Sequence, residues 1–154
     1  MDIALIEPEI PGNTGSIGRL CVGTGTRLHL VGELGFDISE AAVRRAGLDY
    51  WRDVDLRVHT DTEAFLAAIA GRALHLFSAH GTTRYDRVAY HDDDVLIFGR
   101  ESRGLPPEMH ARFASRLRYV PLRPSIRSLN LANCATVVLY EALRQRGFAG
   151  VDPR

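Results

Sequence analysis

Residues 95–106 read Val-Leu-Ile-Phe-Gly-Arg-Glu-Ser-Arg-Gly-Leu-Pro. Four consecutive apolar residues without polar alternation predict a strand covered on both faces, as in a buried parallel sheet. The charged tetrad 100–103 follows at once, bracketed by Gly99 and Gly104. Loops at the carboxyl ends of such strands are where open α/β sheets hold ligands, and glycine lets the backbone approach a ligand closely. A strand-to-helix turn with solvent-facing charges accounts for the same residues.

Working outward, similar apolar runs predict strands at 3–6, 28–31, 56–58, 74–77 and 117–120. Helix-compatible segments lie near 14–23, 40–46, 61–70, 107–113 and 130–146. Thr60-Asp-Thr-Glu63 has the form of a capping box, and Gly71 and Gly147 stand where helices stop. The alternation predicts an α/β fold, a mostly parallel sheet with helices on both faces. A length of 154 residues fits one domain spanning 1–154, with a short tail from about 148.

Composition narrows the function classes. Hydrophobic residues make up 45% and charged residues 25%, which excludes disordered, collagen-like and disulfide-scaffold chains. All 19 basic residues are Arg, and without Lys there is no Walker phosphate loop. The 19 acidic residues balance them overall, but residues 100–127 hold seven Arg against two Glu, a basic flank fit for a polyanion. The amino terminus lacks the basic start of a signal peptide. The longest uncharged stretch, 128–140, has 13 residues, too few to span a bilayer. Cys21 and Cys134 form no metal or disulfide pattern and read as core residues. The cytoplasm is the expected compartment.

Two other segments follow predicted strands. Residues 7–19 read Glu-Pro-Glu-Ile-Pro-Gly-Asn-Thr-Gly-Ser-Ile-Gly-Arg. Asn13 is placed either to cap a helix or to meet a ligand, and Arg19 either snorkels at an edge or aims its guanidinium into a cleft. Residues 121–130 open the last helix, and Ser128 and Asn130 either cap it or share its free N–H groups with a ligand. That helix is apolar nearly all round from Leu131 to Leu143. One buried stripe would suffice on a sheet, so the helix is either sandwiched deep within the chain or set against a second subunit, and a homodimer interface is the favoured of the two. His91-Asp-Asp-Asp94 reads as a solvated turn, and no zinc or GxSxG pattern occurs.

These three segments, in this order, resemble the SPOUT superfamily of methyltransferases. Within it they are most similar to the small tRNA (cytidine/uridine-2′-O)-methyltransferases that act on the wobble nucleotide. The motifs are Glu7 to Cys21, Leu96 to Pro106 and Ile126 to Ala135, with Arg45-Ala-Gly-Leu-Asp-Tyr50 as a mark of the subgroup. The likeness covers almost the whole chain. Ser102 stands where many relatives have Thr, Ala132 where Ser is common, and Phe77 where some have an aliphatic residue.

The resemblance implies a carboxyl-terminal deep trefoil knot that binds S-adenosylmethionine and releases S-adenosylhomocysteine. It assigns Phe77, Gly99, Glu101, Gly104, Val120, Leu122, Ser128 and Leu129 to the cofactor, with Asn130 beside them. Asn13 and Arg19 would meet the target ribose, with Glu101, Ser128 and Asn130 completing the catalytic set. Asn13 and Ser128 are expected to hold the sugar, and Glu101 to fix Arg19 or the loop around it. Arg19, Arg103, Arg123 and Arg127 would bind the tRNA anticodon loop, and a homodimer would form through the last helix and the first-motif helix. Neither metal nor membrane is implied. The alternatives are a related enzyme acting on ribosomal RNA or another tRNA position, and a knotted RNA-binding module without turnover. An oxidoreductase fails on glycine spacing.

Overall fold

The computed structural model describes residues 1–45 and 48–151. Of the predicted 40–46 helix and the 45–50 motif, Ala46 and Gly47 lie outside the described residues, as does the end of the tail after Val151. In chain order the elements are β1 (Asp2–Ile6), α1 (Pro11–Thr24), β2 (Arg27–Val31), α2 (Glu40–Arg45), β3 (Leu56–His59) and α3 (Thr62–Ala68). Then follow β4 (Leu74–Phe77), β5 (Thr83–Arg84), β6 (Val95–Phe98), α4 (Pro107–Arg112), β7 (Leu117–Tyr119) and α5 (Leu131–Gln145). A 3₁₀ turn, Asp49–Asp53, precedes β3.

All strand pairings are parallel, in the order β3-β2-β1-β6-β4-β7-β5. β6 is thus inserted between β1 and β4, which precede it in the chain. The carboxyl ends of β1, β6, β4 and β7 come to lie together, and their loops converge.

The continuous apolar runs are explained by two cores. Ile3, Leu5, Leu28, Leu30, Leu96 and Phe98 pack with Ile17 and Cys21 of α1 and with Ala135, Val138, Leu139 and Ala142 of α5. Their neighbours Ala4, Ile6, Val31, Leu76, Val95 and Ile97 point the other way, onto Phe65 and Ile69 of the α3 region and Met109 of α4. Burying each Leu, Ile or Phe contributes roughly 1.5–3 kcal/mol, so a polar residue on either side of β1 or β6 would be costly.

Several ends differ from the sequence reading. α1 starts at Pro11, so Asn13 lies inside the helix and does not cap it. The cap of α3 is Asp61, whose carboxylate accepts the Ala64 N–H at 2.8 Å, not Thr60 of the expected box. α5 stops at Gly147 as expected: the Phe148 N–H reaches the Leu143 carbonyl at 2.9 Å and the Gly147 N–H that of Arg144 at 3.1 Å. The surplus apolar surface of α5 is largely consumed within the chain, leaving Val137 at 39% and Tyr140 at 46% exposure. In the 91–94 turn Asp94 is not solvated; it is buried and accepts the His91 N–H while meeting His75 Nε2 at 2.8 Å. Among the described residues no helix is long and apolar enough to cross a membrane.

Candidate active site

The loops after β1, β4, β6 and β7 line one open cleft of about 1190 Å³. Small-molecule pockets run to roughly 300–1,000 Å³, so this one has room for a cofactor and part of a second substrate. Phe77, Gly99, Glu101, Gly104, Val120, Leu122, Ser128 and Leu129 all line it, as do Asn13, Asn130, Arg103, Arg123 and Arg127. Arg19 does not. It is exposed on α1, with its guanidinium carbon 4.8 Å from the Tyr50 ring centroid.

Glu101 joins the first loop to the second. Its Oε2 accepts the Glu9 N–H at 2.8 Å, and its Oε1 accepts the Ile10 N–H at 3.2 Å and Asn13 Nδ2 at 3.0 Å. α1 has no side-chain cap of its own, so an anion from 90 residues away supplies one, where the helix dipole favours it. Of the two alternatives for Glu101, the contacts fit the second: it holds the segment that opens α1 and does not meet Arg19 in its own chain.

Asn13 passes the connection to the third loop. Its Oδ1 accepts Asn130 Nδ2 at 2.9 Å, while Asn130 Oδ1 accepts the Ala132 and Asn133 N–H groups at 2.9 and 3.2 Å. A carboxylate only accepts, so Asn13 must turn its NH₂ toward Glu101, and both amide orientations follow. Asn130 therefore caps α5, the first of its two open readings, and its amide also holds Asn13.

Two straps that the sequence reading did not anticipate reinforce this chain. Glu9 accepts the Ser102 N–H at 2.9 Å and its Oγ–H at 2.8 Å, and these bonds hold the Glu9 carboxyl below its ordinary range. Glu7 pairs with Arg100, whose Nε donates at 2.7 Å. Arg100 and Gly104 exchange backbone hydrogen bonds at 3.0 and 2.8 Å, folding the loop back on itself. At Gly99 a Cβ would lie 2.1 Å from the Gly104 carbonyl carbon, so no other residue fits there.

The floor is apolar, with Phe77 and Phe98 stacked at 4.9 Å between centroids. One wall is polar: Ser78 Oγ lies 2.9 Å from His110 Nε2 and accepts the His80 N–H at 3.1 Å. Ser78 and His80 directly follow a predicted strand and could have been found by the rule that selected Phe77. His110, in mid-helix, carries no such signal. Cys134, half-buried and packed against the core, also lines the cleft; burial pushes its thiol up to about 11, and that of buried Cys21 up to about 12, so neither is a thiolate at neutral pH.

The remaining side is loop. Among the described residues, the main chain of 120–129 makes a single internal hydrogen bond, from the Ile126 N–H to the Arg123 carbonyl at 3.0 Å. Its other peptide groups are available to a ligand or to water. Leu122 and Ile126 are exposed at 39% and 57%, and Arg103, Arg123 and Arg127 are exposed without an ion pair among the described residues. No group of His, Cys, Asp and Glu among the described residues could hold a metal ion.

A family model described as the SpoU rRNA Methylase family matches residues 1–140. The chain is 49% identical over 150 residues to a tRNA (cytidine(34)-2′-O)-methyltransferase of Methylovorus glucosotrophus, covering 97% of each chain. It superposes with a TM-score of 0.88 on a solved structure described as "Structural insights into the 2-OH methylation of C/U34 on tRNA", at 44% identity and 95% coverage of both chains. An AdoMet-bound rRNA methyltransferase from Sinorhizobium meliloti gives a TM-score of 0.81 at 31% identity, over 93% of this chain and 55% of the other.

Proposed function

The chain belongs to the SpoU rRNA methylase family, and from that premise we propose that it methylates the ribose 2′-OH of the wobble nucleotide, C34 or U34, in the tRNA anticodon loop. The methyl donor is S-adenosylmethionine, and the compartment is the cytoplasm, where tRNA is found. The observation that carries this reading is the Glu101–Asn13–Asn130 chain, which ties the three motif loops around a single cleft.

The residues fit the cofactor. A stacked phenyl floor suits an adenine, and the under-bonded main chain of 120–129 offers N–H and C=O groups to its polar parts. Phe77, Gly99, Gly104, Val120, Leu122, Ser128 and Leu129 would hold it, while Glu101 acts at one remove by keeping their loops together. When bound, S-adenosylmethionine supplies a methyl group on a sulfonium and leaves as S-adenosylhomocysteine. In support of a deep trefoil knot at the carboxyl end, β6 is wedged between β1 and β4, the 99–104 loop doubles back, and the chain leaving β7 returns over α1 as α5.

The chain's own task is geometry. The 2′-oxygen must sit in line with the methyl, about 3 Å away, and holding it there can supply much of the acceleration. Asn13 and Asn130 have fixed amides, and Ser128 adds an adjacent hydroxyl, so the sugar meets a preset edge. An arginine stays cationic at neutral pH, so Arg19 orients the ribose or its phosphate and stabilises charge growing on oxygen, while the 2′-OH proton leaves to an RNA phosphate or to water. Arg19 does not line the cleft of its own chain. A homodimer through α1 and α5, where Val137 and Tyr140 remain exposed, would turn it toward the partner's cleft. Arg103, Arg123 and Arg127 would grip the RNA backbone.

Incubation with labelled S-adenosylmethionine and bulk tRNA, followed by mapping of the label, tests the reading. Label at the 2′-oxygen of nucleotide 34 supports it. Label elsewhere in tRNA, or only in ribosomal RNA, refutes the assigned substrate, and no label refutes the activity.

A further inference from the structure

The 3₁₀ turn Asp49–Asp53 lies across the outer side of α1 and is locked there at two points. At Gly18 a Cβ would fall 2.6 Å from a ring carbon of Trp51, so the missing side chain is what seats the indole. Three residues earlier in the helix, the Tyr50 hydroxyl donates to the Gly15 carbonyl at 2.8 Å. By the i→i−4 rule that same carbonyl receives the backbone N–H of Arg19. The phenol is thus fixed to the turn of helix that presents Arg19, and its ring face carries the guanidinium at 4.8 Å.

Among the described residues Arg19 donates no side-chain hydrogen bond and has no carboxylate partner. That combination is informative. An acid would orient the guanidinium but occupy its N–H groups and cancel its charge. A ring face orients the plane and leaves all five donors to an oxygen anion.

Resting on the reading of Arg19 given above, we infer that Tyr50 is a positioning residue for methyl transfer, a platform that aligns the Arg19 guanidinium before the ribose arrives. Tyr50 lies outside the cleft of its own chain and acts through Arg19, so cofactor affinity is expected to be independent of it.

The test is single-turnover methyl transfer to tRNA by the full chain, with affinity for S-adenosylhomocysteine measured alongside. Tyr50→Leu is expected to slow transfer about 3- to 10-fold while leaving that affinity within about twofold. Tyr50→Phe, which keeps the ring, is expected to recover most of the rate. In an Arg19→Lys background, where no planar group remains to be aligned, the penalty of Tyr50→Leu should shrink below about twofold. A wild-type rate in Tyr50→Leu overturns the role, as does an undiminished penalty in the Arg19→Lys background or a parallel loss of cofactor affinity. A wild-type chain that transfers no methyl group overturns the underlying reading and this role together; an active wild type indifferent to Tyr50→Leu overturns this role alone.

Discussion

Glu101 serves two demands with one carboxylate: the unpaired amides at the start of α1 need an acceptor, and the Asn13 amide needs a fixed direction. Glu101→Gln removes the charge and points an NH₂ at groups that are themselves donors. The expected cost is about 1–3 kcal/mol, or roughly 2–4 °C of thermal midpoint per kcal/mol, together with slower methyl transfer. Calorimetry and a rate assay check both, and an unchanged midpoint would refute the capping role. Asn13→Asp is expected to be worse, because a second acceptor then faces Glu101 and the bond to Asn130 Nδ2 alone survives. Sequence reading singled out Asn13, Glu101 and Asn130 but not their joint arrangement. Glycine spacing and strand ends reveal which loops meet ligands; they do not reveal that Glu101 reaches across some 90 residues to hold the segment that opens α1.

At the scale of elements, β4 carries a polar insertion with a measurable signature. His75 is buried beside Asp94 and Tyr90, and its Nδ1 has no hydrogen-bond partner. Burial lowers its pKa, with the Asp94 hydrogen bond opposing that in part. His59, at the end of β3, is lowered as well, by burial and by His29. A histidine kept neutral in the folded state favours unfolding once the unfolded chain can take up the proton. Stability should therefore be full above about pH 6.5 and decline as pH falls through the depressed folded values. His75→Gln keeps a donor for Asp94 and should flatten that decline, which thermal melts between pH 7 and 5 would show. An equally steep decline in the variant would place its origin elsewhere. Among the described residues, six of seven strands and five α-helices were readable in the sequence, most of them because the two cores impose unbroken apolar runs and 3.6-residue stripes. β5 was not, since two residues, Thr83 and Arg84, carry no periodicity. The offset at α1 has a different cause: Pro11 at the first helical position is a start signal, but the residue before it is Ile10, which has no capping side chain, whereas Asn13 two positions on is of a usual capping type.

For the whole molecule, the charge distribution and the position of Arg19 each yield an expectation. Arg103, Arg123 and Arg127, doubled by a dimer, make six cationic contacts, and with that many tRNA affinity should fall about a thousandfold between 50 and 200 mM salt. A flat salt response in a binding titration would remove these arginines from the interface. If Arg19 serves the partner's cleft, mixing an Arg19→Ala chain with a Gly99→Val chain should restore about a quarter of wild-type activity, since half the dimers carry one intact composite site. No recovery after subunit exchange would confine each site to one chain. The strand order has a last consequence, for how the protein is made. At about 5–20 residues added per second, β1 leaves the ribosome several seconds before β6 exists to cover its second edge. Through that interval the nascent chain bears a bare apolar ribbon that chaperones must shield, and a stalled translation product ending before residue 95 should be the most aggregation-prone form of the protein.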